Sequence, residues 1–476
     1  MRKIQNSLQT FLPIQVTCNA SDWQENGFEL TDHQTGEEIG AFTINDKGEL
    51  TNFERFLEHT SKGSLKKEEL LIIADRFIDT FYPNRGKVEL SSILELDDQY
   101  MIVYDERDER YGLFLHNTGF TITITPSGEI TSFNENRSEY KVTYPEMTVT
   151  EKDALETYMK TLDFELIIQK LDRETYRNGD NQYHLTYHVM DYIIDIPVNG
   201  LEPVSIREEH LLEPELLKSR PQTNHTIYEL IGIHPDYMLI DSKVSEGKRI
   251  EIWAKDKPLH SYSFDIEELE EDALVKLAFD DALGTLTEAS FPEELDVNEK
   301  NDIGIERSLD IALNIINKVH PNALEHLKLE TLEDDEIDDY SESEDDDEYF
   351  QEVEPTRTFH FHYFHNGVRV DQHVSYVNIS RRSGKVVSLS LGLPSEETLN
   401  GLPKVAELSL EEATSIYKQY LKMELSFVCE CGEDEEMIYS LSYLPSFPKT
   451  EGHVRSIEAV TGEAMYMDVG DALFQR

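Results

Sequence analysis

Cysteine is scarce in this chain: Cys18, Cys429 and Cys431 are the only three among 476 residues. That is too few for a disulfide framework at this length, and it fits a reducing compartment. Basic residues are short as well, 43 Lys and Arg against 96 Asp and Glu, for a formal net charge of −53. Nucleic acid and anionic membrane are poor partners for such a chain, because both require clustered Lys and Arg to meet phosphate. The acidity leaves two readings open: solubility alone, or attraction of a cationic partner or a divalent cation. No run approaches the ~18 uninterrupted apolar residues of a membrane helix. The opening segment starts with Arg2 and Lys3, but Gln5, Asn6, Gln9, Pro13 and Gln15 interrupt the apolar core that an export signal needs. A cytoplasmic location is therefore expected. Also missing are a G-x-S-x-G elbow, an H-E-x-x-H pair and a Walker loop. Acids are so numerous that any pair chosen as catalytic acid and base would be an accident of composition. The expectation is a protein that is not an enzyme and carries no cofactor.

What the chain does contain is repetition. "TITITPSGEITSF" (121–133) is a strand, a Pro-Ser-Gly turn and a second strand, and relatives stand at "GAFTINDKGELTNFER" (40–55) and "VSYVNISRRSGKVVSLSL" (374–391). Gly48, Gly128 and Gly384 supply the turns, since glycine takes positive φ at no steric cost. Order along the chain repeats too. A helical segment 64–84 has its counterpart in 303–322, both apolar at i, i+3, i+4 and both stopped by proline, at Pro83 and Pro321. "FLHNTGF" (114–120) matches "YFHNGVR" (363–369). "TVTEKDALETYMKTLDFEL" (148–166) matches "ELSLEEATSIYKQYLKMEL" (407–425), with Thr150 and Ser409 as N-caps and Asp153 and Glu412 completing capping boxes. Ala154, Tyr158, Leu162 and Leu166 face Ala413, Tyr417, Leu421 and Leu425 as one helix face written twice. Each copy closes on two further strand segments, 182–189 and 193–204 in the first, 438–445 and 456–467 in the second.

This ordered succession resembles the YcdB/YcdC repeat of bacilli, a relative of PepSY domains. The resemblance implies a tandem duplication of PepSY-like α+β units, antiparallel sheets with helices packed on one face. The units span 1–215 and 226–476, joined by a linker at 216–225. PepSY-like modules are known as inhibitors or folding assistants of partner proteins rather than as enzymes, so the resemblance implies a protein partner. Many relatives are exported, which is the alternative to a cytoplasmic location.

Two features distinguish the second copy. The acidic run "LEDDEIDDYSESEDDDEYFQEVE" (332–354) is a loop insertion between helix and strand. Like charges at that density favour solvation over packing. Its centre, Asp345, Asp346, Asp347 and Glu348, is the candidate docking arm for a cationic partner. The second feature is "HFHYFH": strand alternation puts His360 and His362 on one face, and His373 on the return strand could complete a set of three metal ligands. The alternative is a set of half-exposed strand residues beside Phe359, Phe361 and Phe364. Cys429 and Cys431 also share a strand face but lack CxxC spacing.

Overall fold

Two of the three sequence-related hairpins, 40–55 and 121–133, become neighbours in space, and the way they do so defines the repeat. The structure is a computed structural model that describes residues 2–467 apart from 22–23, 25, 57–62, 97–98, 137–138, 208–214, 218–222, 246, 269–271, 293–301, 321–322, 331–354, 395, 433–435 and 451. The first copy opens with α1 (Arg2–Leu8) and the strands β1 (Val16–Ala20), β2 (Gly27–Asp32), β3 (Glu38–Ile44) and β4 (Leu50–Arg55). Helix α2 (Lys67–Phe81) follows, then β5 (Val88–Glu95), β6 (Tyr100–Arg107), β7 (Phe114–Ile124) and β8 (Ile130–Glu135). The sheet order is β1-β2-β3-β4-β8-β7-β6-β5, so the hairpins β3–β4 and β7–β8 meet at their second strands, with Phe53 opposite Phe133. Helix α2 covers that seam: its apolar face is Leu70, Ala74, Phe77 and Ile78, and the Phe77 ring lies 5.3 Å from Phe133. Gly128 serves turn and helix together. Its φ is 88°, and a Cβ there would stand 2.7 Å from the Ile73 Cδ1 of α2. Gly384 repeats the arrangement, with φ 71° and Ile311 as the neighbour.

The chain continues through β9 (Tyr140–Val142), α3 (Glu151–Thr161), β10 (Phe164–Lys170), β11 (Tyr183–Val189), β12 (Asp191–Pro197), β13 (Val204–Arg207) and β14 (Glu215–Leu216). The second copy is α4 (Ile227–Ile231), β15 (Met238–Ser245), β16 (Lys248–Ala254), β17 (Val275–Asp280), β18 (Leu286–Ser290), α5 (Ile305–Val319), β19 (Leu327–Leu329), β20 (Thr356–His365), β21 (Val368–Ser380) and β22 (Val386–Ser390). Its strands pair in the order β15-β16-β17-β18-β22-β21-β20-β19, the order of the first copy. The hairpin β17–β18, which corresponds to β3–β4, was not among the sequence matches. Its turn is held by Asp280, whose carboxylate accepts from the Ala282 and Leu283 amides. The last elements are α6 (Glu396–Leu399), α7 (Leu410–Tyr420), β23 (Lys422–Cys431), β24 (Met437–Ser446), β25 (His453–Glu458) and β26 (Ala464–Met467).

Both capping boxes form as expected, Thr150 with Asp153 and Ser409 with Glu412, and Ala154, Tyr158, Ala413 and Tyr417 are buried. The shared helix face is shorter than the spacing implied. Leu162 and Leu421 turn extended as C-caps, and Leu166 and Leu425 belong to β10 and β23, because apolar residues four apart also satisfy strand alternation. The matched "HN" pairs also part company. Asn117 takes φ 64° within β7, whereas Asn366 and Gly367, at 51° and 84°, make the tight turn between β20 and β21.

Past residue 138 the copies interlock. The β10–β11 hairpin of the first copy joins the second copy's sheet, β10 running parallel to β21 and β11 antiparallel to β25. Reciprocally, β12 of the first copy pairs with β24, and α3 packs on β12 and β23, while α7 packs on β25. The two crossings are made by matching bonds. The Ala459 amide donates to the Leu185 carbonyl at 2.8 Å, and the Val198 amide to the Leu441 carbonyl at 3.2 Å. The carbonyl of Val198 in turn receives the amides of Thr148 and Val149, and that of Ala459 receives those of Glu407 and Leu408. A local two-fold relation follows, and the equivalent buried tyrosines Tyr158 and Tyr417 come close enough for their hydroxyls to influence each other's ionisation. One core consequently runs from Leu115 to Ala464 across both copies, while the other, Ile4 to Phe133, belongs to the first sheet. The duplication is expected to divide at a linker, 216–225; packing divides the chain near residue 137. Among the described residues no helix is long and apolar enough to cross a membrane.

Candidate functional site

Strand alternation sends Phe359, Phe361 and Tyr363 into the core and leaves His360 and His362 on the other face of β20. The register with β19 sets Leu329 opposite Phe361, and the Glu330 amide donates to the His360 carbonyl. The Glu330 carboxylate therefore reaches both imidazoles, with Oε2 3.5 Å from His360 Nδ1 and 3.4 Å from His362 Nε2. Burial holds the His362 pKa below the ordinary imidazole value, against the opposing pull of Glu330. His373 does not join this pair. The register opposes His362 to Val374 and breaks directly afterwards, and Gln372 takes φ 63°. The His373 ring lies against a different set of partners, Nε2 2.6 Å from the Tyr183 hydroxyl and Nδ1 3.0 Å from the Gly392 carbonyl. No group of three or more His, Cys, Asp or Glu side chains with metal-holding geometry occurs among the described residues. Asp345, Asp346, Asp347 and Glu348, like the whole of 332–354, lie outside the described residues.

Two other sets of chemically able side chains stand elsewhere in the fold. Cys429 and Cys431 of β23 are free thiols, the first half-buried and the second exposed. Asp105, fully buried, accepts from Ser91 Oγ at 2.7 Å and the Thr118 amide at 3.3 Å, with His116 Nδ1 at 3.1 Å. The serine hydroxyl donates to the carboxylate rather than to an imidazole, so the proton path of a Ser-His-Asp triad is not built here.

Sequence reading missed the polar network at the interlock. Gln169 Nε2 donates to Ser456 Oγ at 2.8 Å, and His188 Nδ1 lies 2.8 Å from the same hydroxyl. Beside them Arg369 grips Glu165 through two nitrogens, at 3.0 and 2.7 Å. Each of these contacts joins the first copy to the second, so no single-copy pattern could have announced them. Burial, followed by the charges of Arg455 and Arg369, pushes the His188 pKa down to about 4. An unfolded histidine titrates near 6.5, so between those values the unfolded chain binds the extra proton. His188 accordingly favours folding above pH ~6.5, and that contribution is lost as pH falls toward ~4. Comparing urea melts of wild type and His188→Gln across this window should show a steeper acid decline in wild type, by about 2 kcal/mol after allowance for partial exposure. Parallel curves would contradict it.

The remaining candidate is an edge. Strand β15 pairs with β16 and, among the described residues, with no other strand. All its side chains but that of Ile240 are exposed, including Met238 and Leu239 at 49% and Val244 at 56%. The equivalent strand β1 is shorter and begins with buried Val16.

Comparison with known proteins bears on the repeat. The family model described as "YcdB, YcdC repeated domain" matches residues 8–137 and 220–391, together more than half of the chain. Those spans hold the two eight-stranded arrangements and leave out the interlocking strands β10–β13 and β23–β26. The chain is 24% identical to the uncharacterised protein YcdB of Bacillus subtilis (strain 168), over 96% of this chain and 94% of that one. It is 21% identical to YcdC of the same organism, over 87% of each. Among solved structures, the C-terminal domain of Bacillus megaterium YpeB aligns with 44% of this chain and 96% of its own length, at 14% identity and a TM-score of 0.27.

Proposed function

The chain belongs to the YcdB/YcdC repeated-domain family, and from that premise we propose that it is a non-catalytic protein that binds an extended segment of a partner polypeptide along β15. The observation that carries this reading is the edge itself. An unpaired strand presents a row of backbone donors and acceptors that a partner strand can complete. Edges are ordinarily blunted by charge, bulges or a covering element. Strand β15 has a bulge after Leu239 and carries Asp241 and Lys243, yet it leaves Met238, Leu239 and Val244 open to solvent. Backbone pairing would supply affinity, and alternate side chains would supply selection. The formal charge of −53 favours a basic segment and speeds its encounter.

A photocrosslinking residue at Val244, with a control at Leu283 in the β17–β18 turn, tests the reading on the full chain. Crosslinks to a polypeptide from extract of the source cells are expected at Val244, falling severalfold as salt is raised. Hydrogen exchange across 238–245 should slow when the captured partner is added back. Equal capture at Leu283, or unchanged exchange across β15, would overturn the proposal.

A further inference from the structure

The two faces of β15 follow from its register with β16. Asp241 stands opposite Ile252 and Lys243 opposite Ile250. Ile252 forms a small core with Ala254 and Leu274 on one side of the sheet, and Ile240, Ile250, Tyr262 and Phe264 pack against it. Leu239, Ser242 and Val244 stand opposite Trp253, Glu251 and Arg249 and so belong to the other side, where Trp253 meets Tyr228. Strand β15 thus carries an acid and a base two residues apart on one face, and an apolar, polar, apolar row on the other. Neither charge has an ion-pair partner among the described residues. Asp241 accepts from the Ser242 amide at 2.7 Å and the Tyr262 hydroxyl at 3.4 Å, and the Lys243 ammonium lies 5.7 Å from the centre of the Phe264 ring. Charges on the next strand differ: Lys248 pairs with Glu288 at 2.6 Å, and Arg249 pairs with Glu251. The equivalent first-copy strand β1, "VTCNA", has no charged residue at all. The unpaired acid and base are a property of the second copy's edge and not of the repeat.

We propose that Asp241 and Lys243 select the partner strand, which runs antiparallel to β15 and reads apolar, acidic, small polar, basic, apolar from the residue facing Val244 to the one facing Leu239. The inference rests on the reading of β15 as a strand acceptor. Side chains directly opposite on one face of a strand pair attract when their charges differ and repel when they match. On the β16 side both charges meet isoleucine, so only a strand on the open side can supply their partners. An antiparallel partner continues the pairing of β15 to β18. Apolar residues at the two ends cover Val244 and Leu239, which are exposed. The selected positions sum to zero charge, so the net charge of −53 acts on the residues that flank them.

Two capped peptides of equal composition test it on the full chain: Thr-Val-Glu-Thr-Lys-Val-Thr, and Thr-Val-Lys-Thr-Glu-Val-Thr with the charges exchanged. Binding is followed by the fluorescence anisotropy of a terminal dye and by hydrogen exchange across 238–245. The first peptide is expected to bind about 5–10-fold more tightly, because two cross-strand charge pairs are made rather than opposed. The double variant Asp241→Lys/Lys243→Glu should invert that preference; both side chains are exposed, so circular dichroism should be unchanged. Charges on a sheet edge also serve to deter unspecific pairing, and in that role their order does not matter. Equal binding of the two peptides, tighter binding of the second by wild type, or the same preference in wild type and double variant would overturn the proposal. In each of those cases slowed exchange across 238–245 would leave β15 standing as a strand acceptor. Exchange unchanged by either peptide would count against the acceptor reading as well.

Discussion

Replacing Tyr417 with alanine is expected to destabilise the second core by about 3–5 kcal/mol, the range for truncating a buried aromatic side chain. The larger consequence is where the damage appears. Tyr417 belongs to α7 of the second copy, is 2% exposed, and packs edge-on against Phe164 of β10 in the first copy, ring centres 5.5 Å apart. Phe447 packs on it at the same distance, and its hydroxyl meets that of Tyr158. Removing the ring therefore takes the support from a hairpin more than two hundred residues away in sequence. Hydrogen exchange should accelerate in 164–170 and 183–189 while 88–107 of the first sheet is unaffected. Tyr417→Phe keeps the ring and deletes only the hydroxyl, so it should cost about 1 kcal/mol. Loosening confined to 410–420 in the alanine variant would show that α7 does not hold the first copy's hairpin.

The second large effect belongs to the other core. A Cβ at Gly119 would stand 2.1 Å from the Tyr104 carbonyl oxygen and 2.8 Å from Val88 Cγ1. The nearer obstacle is backbone, which no rotamer change relieves, so β6 and β7 must separate where Tyr104 pairs with Phe120. Gly119→Ala should cost about 4 kcal/mol or more, in the exceptional part of the range for single substitutions. Gly112→Ala is the control. That glycine has φ 70° and open space around its Cβ, so only the left-handed conformation is penalised, by about 1–2 kcal/mol. Because the first sheet has its own core, Gly119→Ala should lower one unfolding transition and spare the second. A uniform drop across the whole chain would argue for a single core.

Local features were legible because their physics is local. A Thr or Ser followed three residues later by an acid makes a cap wherever it stands, and Thr150 and Ser409 do so. Turn glycines declare positive φ, and Gly48, Gly128 and Gly384 all adopt it. Partner choice was not legible. The alternation in "QYHLTYHV" announces a strand but carries no address, and β11, paired with β10 on one side, finds β25 of the second copy on the other. For the same reason His373 could be offered as a third ligand, although the register sets Val374 opposite His362 and so turns His373, one residue earlier, to the other face, toward Tyr183 and Gly392. Alternation along one strand cannot foresee its register with the next.

Cleavage of the full chain between the copies tests the interlock most directly. A specific protease site placed at 218–222 would let the folded protein be cut after purification and passed over a sizing column without denaturant. The crossings at Leu185–Ala459 and Leu441–Val198, the Arg369–Glu165 pair and the shared core predict that the two fragments elute together at the intact volume and part only when unfolded. Separate elution of two folded fragments under native conditions would contradict it.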